Sequence, residues 1–301
     1  MSFLGEIEEK KALLRKTEVT KENSNHEEMI VKDEHDYYRL MKETYFEKYY
    51  EQIEEFTFKS VIVPLTLEDI KTIYDATMEF ESYKKTELDM TPIAKKIDEG
   101  IFEIRTTTNT ECQVFVRLSS RSPKDAIYHL PTFSDEYKKY LQQFEDKDDL
   151  FSKLHAWYMA STSVLSVSTG LAACELLRKS SRIQGDLKAC LESSETMNLI
   201  IRQFVKFPVK NELRGFVYNG VFTALTQYNN LAYFPEQKEG KNIVEQRVKD
   251  MMKRFICAMA NTLTSFIVDI VLDEDGKVWV VEVNPFGELA GSCLFSWSKD
   301  R

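Results

Sequence analysis

Two carboxylates and an amide stand inside apolar runs near the end of this 301-residue chain: Asp269 in FIVDIVL, and Glu282 and Asn284 in VWVVEVNP. The intervening DEDG (273–276) reads as the turn of a β-hairpin. Side chains alternate across a strand, so Glu282 and Asn284 share a face. If Leu272 faces Lys277, Asp269 faces Val280 and joins that face, while Trp279, Val281 and Val283 pack the other. A slip of one residue sends Asp269 to the opposite side. Carboxylates are seldom buried without a cation or strong donors. Two acids and an amide oxygen form a hard oxygen donor set suited to Mg2+, which keeps waters and phosphate oxygens in its remaining positions. Pairing with nearby Arg or Lys would satisfy the same acids without a metal.

Basic residues in other apolar runs give that choice more content. Arg117 lies in VFVRLSS, Lys124 in SPKDA, Arg202 in LIIRQFV and Arg214 in ELRGFV. An ATP cleft needs cations for phosphates opposite carboxylates for the metal, and this chain carries both sets within strand-like segments. Taken singly, each basic residue is an ordinary salt-bridge partner or a side chain reaching to the surface. Other chemistries lack support. The four histidines (His26, His35, His129, His155) form no HxxxH or HExxH pair, and neither a GxxxxGK[ST] loop nor a GxSxG elbow is present.

The elements that must position these groups are legible in outline. KSVIVPL (59–65) predicts a strand stopped by Pro64, followed by a helix with Thr66 as N-cap and Asp69 at its third position. ECQVFVRLSS (111–120), NLIIRQFV (198–205), ELRGFVYNGVFTALTQYN (212–229) and the terminal hairpin read as strands, with a helix over about 240–262. DYYRLMKETYFEKYYEQIEEF (36–56) predicts an amphipathic helix whose tyrosines are core contacts. The stretch from about 127 to 196 is helical, with Gly170 and Gly185 as possible breaks. Residues 1–36 lack apolar periodicity and read as a flexible or helical arm. The division expected is an arm to residue 36, an N-terminal subdomain over 37–197 that includes the helical insertion, and a C-terminal subdomain over 198–301 carrying the acids. Strands scattered among long helices predict an α+β fold.

A hydrophobic content of 43% fills a real core, and a formal charge of −9 without a Lys/Arg tract disfavours non-specific nucleic-acid binding. Five scattered cysteines suit a reducing cytosol, and no secretory or membrane-spanning segment is legible.

Four stretches in order, FKSVIVPL (58–65), VFVRLSSRSPKDA (114–126), LIIRQFVKFPVKNELRGFV (199–217) followed by ALTQYN (224–229), and FIVDIVLDEDGKVWVVEVNPFGE (266–288) with LFSW (294–297), resemble the cell division cycle protein 123 family, a divergent branch of the ATP-grasp fold. The resemblance implies a nucleotide cleft between two α+β subdomains. Asp269, Glu282 and Asn284 would hold Mg2+ against the β- and γ-phosphates of ATP, and Arg117 and Lys124 would contact phosphates. LIIRQFV, through Arg202, Gln203, Phe204 and Val205, would meet adenine and ribose. The sequence departs from the family pattern, which usually has Lys at Arg117, Asn-Trp-Ser at Ser119, Ser120 and Arg121, Asp at Glu282, and commonly Arg at Tyr228. Members are cytoplasmic assembly factors that bind the gamma subunit of translation initiation factor 2, which is the first expectation for this chain. The alternative is an ATP-grasp enzyme, either a carboxylate–amine ligase or a phosphoryl or nucleotidyl transferase, with Arg117, Lys124 or Arg214 stabilising the leaving phosphate.

Overall fold

The computed structural model describes residues 34–82 and 88–300, so most of the arm over 1–36 lies outside the described residues. Among the described residues, eight strands form two four-stranded antiparallel sheets. The first contains β1 (Ser60–Pro64), β2 (Val114–Leu118), β3 (Ser166–Val167) and β4 (Asn198–Gln203) in the order β1-β4-β2-β3. The second contains β5 (Glu212–Tyr218), β6 (Val221–Gln227), β7 (Phe266–Leu272) and β8 (Val278–Pro285) in the order β6-β5-β7-β8. The sheets divide between Gln203 and Glu212, so β4, which the sequence groups with the later strands, pairs with β1 and β2.

The helices are α1 (Glu34–Glu43), α2 (Tyr50–Ile53), α3 (Leu67–Glu81), α4 (Thr91–Thr108), α5 (Pro131–Leu141), α6 (Leu150–Ser163), α7 (Gly170–Arg178), α8 (Ser181–Ser193) and α9 (Pro235–Met259). At the start of α3 the Thr66 hydroxyl accepts the Asp69 amide at 3.1 Å, and the Asp69 carboxylate accepts the Thr66 amide at 2.8 Å. This reciprocal cap satisfies two backbone donors that a helix start leaves open. Among the described residues, no helix is long and apolar enough to cross a membrane.

The helix predicted over 36–56 is interrupted. After α1 the chain turns through short helical pieces at Phe46–Lys48, Tyr50–Ile53 and Glu54–Phe56. The turns let Phe46, Tyr49, Tyr50, Ile53 and Phe56 enter the core beneath the second sheet, where α9 supplies Val248, Met251, Met252, Phe255 and Met259. Tyr45, Tyr49 and Tyr50 are core contacts, as their spacing suggests, whereas Tyr37 and Tyr38 are only half-buried; a straight helix could not present the buried ones this way. A larger core joins the first sheet to α3, α4, α6, α7 and α8.

Gly170 opens α7, whereas Gly185 sits inside α8 without breaking it. A Cβ on Gly170 would fall 1.9 Å from the Ala94 carbonyl oxygen, where the two helices meet backbone to backbone. Gly170→Ala is therefore expected to cost about 1–3 kcal/mol from overpacking, read as a lower midpoint in chemical denaturation.

Candidate functional site

The terminal hairpin forms, with a register that the turn alone does not dictate. Leu272 pairs with Val278, Val271 with Trp279 and Ile270 with Val280. A bulge then intervenes, and Asp269 pairs with Glu282 and Ile267 with Asn284. The expected pairing of Leu272 with Lys277, and of Asp269 with Val280, is displaced. Without the bulge, the observed pairing near the turn would set Asp269 against Val281. The extra residue on β8 restores the parity and leaves Asp269, Glu282 and Asn284 on one face. It also corrects the packing face: Val278, Val280 and Val283 enter the core with Val268 and Ile270, while Trp279 lies on the acids' side and stacks on Phe58 at 5.4 Å between centroids.

That face looks toward the side of the first sheet that bears Arg117 and Arg202. Arg117 pairs with Ile200 in the ladder and Arg202 lies two residues on, so both guanidiniums project together. Arg117 Nη1 lies 2.7 Å from Glu282 Oε1, and its other nitrogens donate to the carbonyls of Leu118 and Ser120 at 3.1 and 2.9 Å. Arg214, beside Asp269 in the ladder, grips both carboxylate oxygens at 2.7 and 2.8 Å and also donates to the Gly291 carbonyl. Asn284 Nδ2 donates to Asp269 Oδ2 at 3.3 Å. The 3-10 turn Lys124–His129 brings Lys124 Nζ to 3.2 Å from the Tyr228 hydroxyl.

Arg202 is 3% exposed and, among the described residues, forms no ion pair with an acid. It donates to the Val281 carbonyl and to Thr57 Oγ1, lies 4.8 Å from the Phe46 ring centroid, and leaves its Nε without an acceptor among the described residues. Burial, reinforced by the neighbouring Arg117 charge, pulls its pKa down to about 10. Gln203, Phe204 and Val205 are half-buried at the end of β4, where the chain leaves for the second sheet. The Gln203 and Phe204 amides are spent on the carbonyls of Lys59 and Gln113, and none of the three side chains enters the ion-pair cluster among the described residues.

The electrostatics follow from this crowding. Burial alone would raise Glu282, but Arg117 first, then Lys124, Arg182 and Arg214, hold its carboxyl down at about 2. Burial pushes Glu212 up, only partly opposed by Lys124. Tyr228, then the carboxylates of Glu282, Glu212 and Asp269, hold the Lys124 ammonium above its ordinary value despite burial. Four cations (Arg117, Lys124, Arg202, Arg214) therefore face three carboxylates (Glu212, Asp269, Glu282), one of them pushed toward its neutral form. The centre of a chain with formal charge −9 is locally cationic.

As a metal site the donor chemistry fits Mg2+, with conditions. Among the described residues, no three His, Cys, Asp or Glu are placed to hold a metal, so the Asn284 oxygen must complete the set. Both acids are engaged by guanidiniums, whereas Glu282 Oε2 and Asn284 Oδ1 accept no hydrogen bond from the described residues. An oxygen-seeking cation fits only alongside anions that occupy the arginines.

Glu212, Tyr49 and Thr57 join the site without being marked as site residues in the sequence, where Tyr49 reads only as a core contact. Glu212 precedes Arg214 by two, and that strand spacing was the available signal. Tyr49, whose hydroxyl accepts the Val283 amide at 3.4 Å, comes from a part of the chain with no local mark of the site.

Two antiparallel sheets presenting cations and acids to one another define an α+β protein. The D123 family profile matches residues 103–299, and the chain belongs to this family, that of cell division cycle protein 123. It is 27% identical to a putative CDC123-like protein of Acanthamoeba polyphaga mimivirus, over 81% of this chain and 64% of that protein. It is 25% identical to the translation initiation factor eIF2 assembly protein of Xenopus laevis, over 48% of this chain and 45% of that protein. The chain thus spans about half to two thirds of the length of these relatives. The structure of Cdc123 from Schizosaccharomyces pombe has the same fold, with a TM-score of 0.63, 19% identity, and coverage of 87% of this chain and 90% of that one.

Proposed function

We propose that this protein binds ATP with Mg2+ between its two sheets and acts in the cytoplasm as an assembly factor for translation initiation factor 2, engaging the gamma subunit. The observation that carries the nucleotide part is the buried cationic surplus, above all Arg202, a guanidinium that among the described residues forms no ion pair and leaves its Nε unused. A buried charge without a counter-charge is costly, and polyphosphate supplies that counter-charge. Arg117, Lys124, Arg202 and Arg214 would bind phosphate oxygens, and Gln203, Phe204 and Val205 would line the base and ribose. Asp269, Glu282 and Asn284 would hold the metal, whose contribution is to neutralise phosphate charge. The assembly role rests on family membership and on relatives named as eIF2 assembly proteins.

The test is a thermal shift with ATP and Mg2+ together with capture of purified gamma subunit. At a ligand concentration one hundred times Kd, binding adds about 2.7 kcal/mol to stability. A clear rise in unfolding temperature, dependent on both ATP and Mg2+, is expected. The absence of any shift across nucleotides would return Asp269 and Glu282 to a purely structural pairing. Failure to retain the gamma subunit, alongside sustained ATP turnover, would move the protein to the enzyme reading.

A further inference from the structure

Tyr228 follows β6 and is pinned beside the start of β5 by its amide, which donates to the Glu212 carbonyl at 2.9 Å. Two cations from different parts of the fold approach its ring. Lys124, from the first half of the molecule, is 5.3 Å from the ring centroid, and Arg214, from the second sheet, is 5.0 Å from it. Lysine has donors only, so its 3.2 Å contact uses a lone pair of the Tyr228 oxygen. The phenolic proton must point elsewhere, and among the described residues no protein acceptor takes it. Although Lys124 draws the phenol down, burial with the Asp269 and Glu212 carboxylates outweighs it, so Tyr228 stays protonated at neutral pH.

We propose that the Tyr228 hydroxyl is a positioning donor for the terminal phosphate of a nucleoside di- or triphosphate, and that its ring holds Lys124 and Arg214 in place for the same group. The inference rests on the nucleotide reading of the cleft. Aromatic faces attract cations, and a phenol can accept from an ammonium while donating to an anion. Tyr228 thereby passes the Lys124 charge across the cleft to a ligand beside Arg214. It adds a donor without adding a fifth positive charge to a centre already crowded with cations.

Tyr228→Phe keeps the ring and removes only the hydroxyl. Titration calorimetry with ATP, ADP and AMP in Mg2+ is expected to give about tenfold weaker binding of ATP and ADP, the scale of a hydrogen bond to a charged group, with AMP unchanged. The unfolding temperature without nucleotide should fall slightly, because Lys124 loses the acceptor it holds at 3.2 Å. Lys124→Met combined with Tyr228→Phe should lose less than the sum of the single losses, because both variants break one relay. Equal affinity of wild type and Tyr228→Phe for ATP would overturn the proposal, as would an equal loss for AMP, which marks a general disturbance of the cleft. If the wild-type protein binds none of the three nucleotides, the nucleotide reading itself fails and this inference with it.

Discussion

Asp269→Ala is expected to lower the stability of the protein by about 3–5 kcal/mol, the cost of stranding one member of a buried ion pair. Asp269 is 1% exposed and receives both forks of Arg214, whose side chain is 8% exposed, so removal of the acid leaves a guanidinium whose remaining partners among the described residues are the Gly291 carbonyl and the Tyr228 face. Global stabilities of folded proteins are about 5–15 kcal/mol, so a loss of this size shows as a large fall in the denaturation midpoint. Asp269→Ala/Arg214→Met should recover part of it, because no unpaired charge then remains buried. A double variant as unstable as the sum of the single ones would show that the two side chains are not coupled. The same substitution should abolish the Mg2+-dependent part of any stabilisation by ATP, since Asp269 is central to the proposed donor set.

Arg117→Met should produce a loss of similar size at neutral pH, about 3–5 kcal/mol, and change how stability depends on acid. In the wild type Glu282 is held at about 2 against an ordinary value of 4.5. A depressed carboxyl contributes stability that is fully present above the unfolded value and lost as pH falls through the folded one. The wild type should therefore lose this contribution between about pH 4.5 and 2. Without Arg117 the largest attraction on Glu282 is gone, and burial then raises its pKa. Protonation becomes a relief, and the deficit of the variant relative to wild type should shrink as pH falls from 7 toward 4. Chemical denaturation across that range checks the sign. A deficit constant with pH would mean that Arg117 stabilises through its carbonyl bonds to Leu118 and Ser120 and not through Glu282.

Both experiments probe ties between different parts of the fold, and those ties mark the boundary of what local sequence can express. The alternation in VWVVEVNP and FIVDIVL, with DEDG between them, determines a hairpin with acids on an otherwise apolar ribbon, because turn chemistry and the period of two are local properties. The Thr66–Asp69 cap is local for the same reason and appears as expected. Tertiary structure decided the bulge beside Val281, which puts Asp269 opposite Glu282 and turns Trp279 toward Phe58. No pattern in the hairpin marks that extra residue, since its position depends on packing Val280 and Val283 against the core beneath. The helix over 36–56 was misjudged for a related reason: its periodicity is helical, but its aromatic residues must reach a core built mainly from residues some 200 positions later.

The site divides along the same line. Sequence alone determined which residue types could do chemistry, because a carboxylate, an amide or a guanidinium within an apolar run is conspicuous wherever the run folds. It could not decide who pairs with whom. Arg117 meets Glu282, Arg214 meets Asp269, and Lys124 meets Tyr228 across gaps of 165, 55 and 104 residues, while Arg202 forms no ion pair among the described residues. Coulomb attraction and desolvation act over a few ångströms of space, whatever the separation along the chain. Only the docking of the two sheets therefore fixes which charges cancel and which remain for a ligand.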